Sequence, residues 1–133
     1  MCNGKVATMV GAPGDSLTVG TAGDDVIIDL SGNNTIRGKG GNDTICSGPG
    51  NDEITGGGGS DWIDAGGGND EVEGGEKNDT IFGGPGNDKL YGNGGNDTMT
   101  GGPGADKFVG GLGTDTVTDF KPVAEGDTQT GVP

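Results

Sequence analysis

The chain has 133 residues, of which 34 are glycine and 6 are proline, and only 27% of its residues are hydrophobic. Its 21 acidic side chains against 7 basic ones give a formal net charge of −14, and histidine is absent. This composition excludes a conventional large hydrophobic core, and the acidic charge argues against nucleic acid or anionic lipid as a partner. No apolar run is long enough to predict a membrane span.

Residues 1–19 are predicted to form an N-terminal arm and a degenerate capping repeat. Residues 11–16 keep the nine-residue spacing of the chain that follows, but they carry Ser16 where later units carry aspartate. The end repeats of stacked architectures are commonly atypical. We therefore expect this segment to cover the first coil of a repeat structure.

Residues 20–118 consist of eleven nine-residue units that follow one another without insertion. The fourth position of the unit is glycine in ten units, with Lys77 as the exception, and the eighth position is apolar in all eleven. The sixth position is aspartate in ten units and Asn34 in the other. The sixth-position residues are Asp25, Asn34, Asp43, Asp52, Asp61, Asp70, Asp79, Asp88, Asp97, Asp106 and Asp115.

These units follow the pattern G-G-x-G-x-D-x-U-x, where U is a large apolar residue, and they resemble the calcium-binding nonapeptides of RTX (hemolysin-type) proteins. The resemblance covers 99 of the 133 residues. It implies an all-β fold, the parallel β-roll or β-solenoid, in which each GGxGxD loop turns the chain and each xUx segment forms a short strand. Two units would make one 18-residue coil, so the array would form about 5.5 coils with calcium ions between the turns.

The eighth-position residues are expected to fill a thin core, because a three-residue strand points its middle side chain to one face and its neighbours to the other. Successive units of a roll lie on opposite sides, so the apolar residues divide into two stacks. The predicted stacks are Ile27, Ile45, Ile63, Ile81, Met99 and Val117 on one sheet, and Ile36, Ile54, Val72, Leu90 and Phe108 on the other.

The loops offer only oxygen ligands, namely aspartate carboxylates and the carbonyls of a backbone that glycine allows to turn sharply. Calcium accepts such ligands in a flexible geometry, whereas magnesium requires a tighter octahedron. We therefore predict Ca²⁺ as the cofactor, bound by the ten aspartates above and weakly at Asn34. The supporting backbone carbonyls are expected in the loops around Gly23, Gly41, Gly50, Gly59, Gly68, Gly86, Gly95, Gly104 and Gly113.

An ion between neighbouring coils would meet two sixth-position residues that are 18 residues apart, which gives five gaps on one edge of the roll and four on the other. The sequence thus predicts up to about nine ions. Two positions put individual gaps in doubt. Asn34 is neutral where an anionic ligand is expected, and Lys77 places a side chain and a positive charge in the glycine column beside the gaps of Asp61 and Asp97.

The predicted core is too small to offset the entropy of ordering so many glycines, and the acidic column adds repulsion. We therefore expect calcium binding to be coupled to folding. Such a chain would remain unfolded where calcium is scarce and fold outside the cell. The sequence favours an extracellular calcium-binding protein.

Residues 119–133 are predicted to form a C-terminal cap and a polar tail. Asp119 and Phe120 resemble the Asp-Phe pair that often closes RTX arrays, with Phe120 expected to cover the last coil. The two cysteines, Cys2 and Cys46, could form one disulfide in an oxidising compartment or remain two free thiols. A cysteine pair favours export with a cleaved N-terminal signal.

The outward positions leave a second function open. Trp62 and Phe82 fall on adjacent coils and could form a patch for a protein or surface partner, as in an adhesion module. Threonines at neighbouring outward positions resemble the ice-binding face of certain RTX adhesin domains, although the aromatic residues interrupt them. No enzymatic activity is predicted, because histidine is absent and the aspartates of the column are committed to metal.

Overall fold

The computed structural model of the chain describes residues 1–119 and 127–131. These residues form fourteen short β-strands in two seven-stranded sheets. The first, here called the odd sheet, contains β1 (Met9–Val10), β3 (Val26–Asp29), β5 (Thr44–Ser47), β7 (Trp62–Asp64), β9 (Thr80–Phe82), β11 (Thr98–Thr100) and β13 (Thr116–Val117).

The second sheet, here called the even sheet, faces the odd sheet across the core. Its strands are β2 (Leu17–Val19), β4 (Thr35–Gly40), β6 (Glu53–Gly58), β8 (Glu71–Glu76), β10 (Lys89–Gly94), β12 (Lys107–Leu112) and β14 (Thr128–Thr130).

All strand pairs are parallel, and from β1 to β13 each residue pairs with the residue 18 positions later. Ile27 pairs with Ile45 in the odd sheet, and Ile36 pairs with Ile54 in the even sheet. The chain therefore alternates between the two sheets and advances by one strand per coil. This arrangement of about six coils confirms the predicted parallel β-roll.

The core is a double row of apolar side chains, one row from each sheet. From Ile27 to Phe108 every eighth-position side chain is fully buried, and Val117 and Met9 pack against the cluster at its ends. The predicted inward stacks are thus confirmed. Ala65, which stands at the first position of its unit, also belongs to the core.

The chain end differs from the expected polar tail. Thr128–Thr130 forms β14 and pairs with β12, so the roll continues beyond the repeat array. The register changes there, because Lys107 pairs with Thr128, 21 residues later instead of 18. Three extra residues therefore precede β14. The capping role expected of Phe120 lies outside the described residues.

The N-terminal segment extends the roll by one coil and then lies against its outer face. Strands β1 and β2 pair with β3 and β4, with Thr18 at the inward position of β2. Ahead of them, Cys2 is joined to Cys46 of β5 by a disulfide bond. Lys5 donates a hydrogen bond from Nζ to Thr44 Oγ1 at 2.8 Å.

Charged and aromatic side chains cover the outer faces of the sheets. On the even sheet Lys89 forms an exposed ion pair with Glu71, 3.1 Å between Nζ and Oε2, and Lys107 lies 5.7 Å from the centre of the Tyr91 ring. No helix long and apolar enough to cross a membrane occurs among the described residues.

Candidate metal centre

The sixth-position aspartates form two buried rows, one on each edge of the roll, where the chain turns from one sheet to the other. None of the ten side chains is more than 6% exposed. Carboxylates are rarely buried to this extent unless they are paired or bind a metal. The hydrogen bonds of these carboxylates therefore indicate whether the rows can bind a metal ion.

In nine of the ten carboxylates, all except that of Asp25, one oxygen joins two successive coils. Oδ1 of Asp61 accepts a hydrogen bond from the backbone N–H of Asp43 at 2.7 Å, and Oδ1 of Asp97 accepts one from the N–H of Asp79 at 2.8 Å. The same bond recurs along both edges, from the N–H of one sixth-position residue to the carboxylate 18 residues later. Its further carboxylate acceptors are Asp43, Asp52, Asp70, Asp79, Asp88, Asp106 and Asp115.

The other carboxylate oxygen, Oδ2, is buried, and in most of the row it has no hydrogen-bond partner in the part of the chain that the structure describes. Leaving a charged oxygen buried without a partner costs several kcal/mol of solvation (about 1–3 kcal/mol even for neutral groups). A bound cation would compensate this cost, so the residues present fit a metal ion. The residues with an unpartnered Oδ2 include Asp43, Asp61, Asp70, Asp79, Asp88, Asp97 and Asp115.

Glycine at the first position of a unit keeps the space beside Oδ2 free. A Cβ atom on Gly56 would lie 2.4 Å from Oδ2 of Asp61 and 2.6 Å from the carbonyl oxygen of Gly74, one coil further on. The carboxylate of one coil and the carbonyl of the next therefore face the same small space. Both are hard oxygen ligands of the kind that calcium prefers.

The glycines at the fourth position allow neighbouring loops to approach closely. Gly68 has a φ of 127°, and a Cβ atom there would lie 1.8 Å from the carbonyl oxygen of Gly50 in the preceding coil. Of the nine glycines that the sequence predicts to support the sites, only Gly23 lacks a positive φ. The others are Gly41, Gly50, Gly59, Gly68, Gly86, Gly95, Gly104 and Gly113.

The carboxylates are electrostatically unfavourable in the metal-free roll. Burial raises the pKa of Asp79 to about 7, and although the N–H of Asp61 lowers it, the charges of Asp61 and Asp97 raise it further. Burial likewise raises the pKa of Asp70 to about 7, and the pKa values of Asp43, Asp61 and Asp88 to about 6. A nearby cation would favour the charged form instead.

Three of the predicted ligands, Asp25, Asn34 and Asp52, form hydrogen bonds with other protein groups at the position where an ion would bind. Oδ2 of Asp25 accepts hydrogen bonds from the N–H and the hydroxyl of Thr21, at 2.6 and 2.9 Å. Oδ2 of Asp52 accepts one from the Ser47 hydroxyl at 2.5 Å. Asn34, expected to be a weak ligand, donates from Nδ2 to the carbonyl of Asp29 at 3.3 Å.

Lys77 fits the roll more easily than its sequence position suggests. Its backbone takes the left-handed conformation, with φ of 74°, and its side chain is exposed. The hydrogen bonds that join Asp61 to Asp79 and Asp79 to Asp97 are each 2.8 Å, as elsewhere in the row. The loop therefore keeps the geometry of its neighbours.

Asp127, at the C-terminal end, is a residue of the candidate site that the repeat pattern did not predict. Oδ1 of Asp127 accepts from the N–H of Asp106 at 2.9 Å, as the sixth-position aspartates do. The carbonyl of Gly131 lies 2.5 Å from where a Cβ on Gly110 would be, beside Oδ2 of Asp115. The shared pattern Asp-Thr-x-Thr-Gly at 97–101 and 127–131 was the available signal.

A second ladder was also missed, at the fifth position of the unit. Oδ1 of Asn51 accepts from the backbone N–H of Asn69, and Oδ1 of Asn69 accepts from Asn87, at 2.8 and 2.9 Å. These bonds run toward the preceding coil, opposite in direction to those of the aspartates. The asparagine ladder therefore joins the coils without metal.

Side chains alone do not complete a metal site in the described part of the chain. No three acidic or cysteine side chains converge there on one point. Any ion between the coils must therefore take backbone carbonyl oxygens as additional ligands. The carbonyls beside each Oδ2 supply such oxygens.

A comparison with protein families found one that matches this architecture. The profile of the RTX calcium-binding nonapeptide repeat (4 copies) matches residues 19–54, 47–81, 64–99, 73–108 and 82–117. Together these matches span residues 19–117, which is the repeat array except for its last residue. The comparisons with curated proteins and with solved structures found no match.

Proposed function

Since the chain belongs to the RTX calcium-binding nonapeptide-repeat family, we propose that it is an extracellular protein that folds as several Ca²⁺ ions bind between its coils. The row of buried Oδ2 atoms without hydrogen-bond partners is the observation that carries this proposal. Calcium supplies positive charge where the folded chain gathers buried carboxylates, so binding and folding support each other.

The ligands of each ion would come from two neighbouring loops on one edge. Between the coils of Asp61 and Asp79, the protein offers Oδ2 of Asp61 and the carbonyl of Gly74. The same pair recurs at Oδ2 of Asp97 and the carbonyl of Gly110. Since these ligands are oxygens held partly by flexible backbone, calcium is favoured over magnesium.

The disulfide supports an extracellular location. Disulfides form and persist mainly in oxidising compartments, and the structure bonds Cys2 to Cys46. Calcium is also abundant outside cells, where even millimolar sites fill. A roll that needs calcium would therefore fold after export.

We predict that Asp79→Asn weakens calcium binding at two gaps, because Asp79 lies between the loops of Asp61 and Asp97. The calcium concentration at half-saturation should rise about tenfold, which corresponds to about 1.4 kcal/mol. Isothermal titration would measure this shift. Asp64→Asn makes the same change of charge on the outer face of β7 and should leave the titration unchanged; equal behaviour of both variants would contradict the assignment.

Calcium affinity is also expected to fall as the pH decreases from about 7.5 to about 5.5. The raised pKa values of Asp70 and Asp79, about 7, mean that the metal-free roll binds protons in this range. Protons then compete with calcium. Conversely, the metal-free roll itself should be more stable at the acidic end and lose stability as the pH rises through the same range. Calcium titrations at the two pH values test this, and equal affinities would count against it.

The family is a structural calcium-binding module, and we propose no catalytic role for this chain. A second function, surface recognition through an aromatic patch, is favoured by one contact. The rings of Trp62 and Phe82 lie 5.4 Å apart on the outer face of the odd sheet. A binding assay on the calcium-loaded form should then show weaker surface or partner binding for Trp62→Ala than for the parent.

A further inference from the structure

The gaps between coils are of two kinds. In one kind Oδ2 of the aspartate has no hydrogen-bond partner among the described residues, and in the other, found toward the N-terminus, a group of the protein itself occupies that position. Among the described residues no hydrogen-bond partner is found for Oδ2 of Asp43 or, toward the C-terminus, for Oδ2 of Asp61, Asp70, Asp79, Asp88 and Asp97. Toward the N-terminus the protein itself occupies the corresponding position in three other gaps.

Ser47 occupies this position most directly. It stands at the first position of its unit, where most units have glycine, and it is only 6% exposed. Its hydroxyl donates to Oδ2 of Asp52 and lies 3.2 Å from the carbonyl of Asp29 in the preceding coil. The space that Gly56 keeps free beside Asp61 is thus taken by a side chain.

Thr21 has a comparable effect in the first gap of the other edge. Its N–H and its hydroxyl both donate to Oδ2 of Asp25. The carbonyl of Gly38 faces the same place, 2.4 Å from where a Cβ on Gly20 would lie. The carboxylate oxygen that would bind calcium already has two donors.

The third gap lies between the loops of Asn34 and Asp52, near the N-terminal end of the roll. The Asn34 amide donates to the carbonyl of Asp29, so it presents N–H groups instead of a second oxygen. The Asp29 side chain is 1% exposed and accepts hydrogen bonds from the hydroxyls of Ser16 and Thr18. Of the buried polar atoms in these four side chains, only Oδ1 of Asp29 lacks a hydrogen-bond partner among the described residues.

The disulfide and the N-terminal arm hold the same coils. Cys46 lies in β5, which pairs with β3 on one side and β7 on the other. The bond to Cys2 and the hydrogen bond from Lys5 to Thr44 fix the arm across this part of the sheet. Such a cross-link reduces the entropy of the unfolded segment by closing a loop.

From these contacts we propose that Thr21, Asn34 and Ser47 exclude calcium from three gaps and that the N-terminal coils fold without it. This inference rests on the calcium-binding function proposed above. The chain then binds at most eight ions, because Asp127 and Gly131 add two gaps at the C-terminal end to the nine of the repeat array and three gaps are excluded. The preformed N-terminal coils act as a template on which the calcium-dependent coils assemble toward the C-terminus.

Ion counting by native mass spectrometry tests the first part on the full, disulfide-bonded chain. The parent should bind no more than eight Ca²⁺, and Ser47→Gly should bind one more than the parent, because it frees Oδ2 of Asp52. Ser60→Gly, the same substitution at an exposed fifth position, should not change the count. A parent that binds nine ions, or a Ser47→Gly variant with the parent's count, would overturn the assignment. A parent that binds no calcium would instead overturn the proposed function.

Hydrogen exchange in excess EDTA tests the second part. Amides of β3, β4 and β5 should remain protected, while those of β8 to β13 should exchange at the rate of an unfolded chain. Addition of calcium should then protect the C-terminal strands as well. Uniform exchange along the chain in EDTA would show that the N-terminal coils also need calcium.

Discussion

Removal of calcium with excess EDTA is expected to abolish most of the β-structure of this protein. The folded chain gathers buried carboxylates, most of whose Oδ2 atoms lack a hydrogen-bond partner among the described residues, and its core there is two rows of side chains. Without the ions, burial and mutual repulsion of these carboxylates oppose folding. The far-UV circular dichroism of the strands should therefore decrease strongly, and the radius of gyration should rise about twofold.

Addition of calcium should restore both signals, whereas magnesium at the same concentration should restore them poorly because it holds its water more tightly. The residual signal in EDTA should come from the N-terminal coils. Spectra and sedimentation that are the same with calcium and with EDTA would contradict the proposed coupling of folding to binding.

Gly68→Ala is expected to destabilise the calcium-loaded roll more than any surface substitution. At a φ of 127° a residue with a Cβ is strained by about 1–3 kcal/mol, and the new atom would lie 1.8 Å from the carbonyl oxygen of Gly50. The two coils would have to separate, which would lengthen the hydrogen bond from the N–H of Asp52 to Oδ1 of Asp70. The melting temperature at saturating calcium should fall by roughly 5 °C or more.

The adjacent residue provides a matched control. Gly67 has no positive φ, and the nearest atom to its added Cβ would be the carbonyl oxygen of Pro85 at 3.8 Å. Gly67→Ala should therefore melt near the parent temperature. If both variants melt together, close approach of the loops does not limit the stability of the roll.

The fold, and the positions of most residues of the candidate site, could be predicted because the repeat places each residue type in one environment. With a nine-residue period and a short strand, the eighth residue points into the core and the sixth falls in the turn at the edge of the roll. The eighth-position residues are therefore buried, and the sixth-position aspartates lie on the edges. Ile27, Ile45 and Phe108 show the first rule, and Asp61 and Asp79 the second.

Features outside the period could not be predicted in this way. Three extra residues before β14 hid Asp127 and Gly131, which continue the aspartate row and the carbonyl positions. The role of Ser47 depends on one hydroxyl reaching Asp52, which composition does not reveal. The path of the N-terminal arm depends on tertiary contacts such as those of Cys2 and Lys5 with β5.

The constant 18-residue register has a consequence for how such proteins can change in evolution. In the middle of the roll every coil meets its neighbours through the same bonds, as at Ile45 with Ile63 and at Ile63 with Ile81. A gene that gained or lost one 18-residue segment there would encode a β-roll whose axis is longer or shorter by about 4.8 Å, with an unchanged cross-section. Duplication could thus adjust length in regular increments while the chemistry of each layer stays the same.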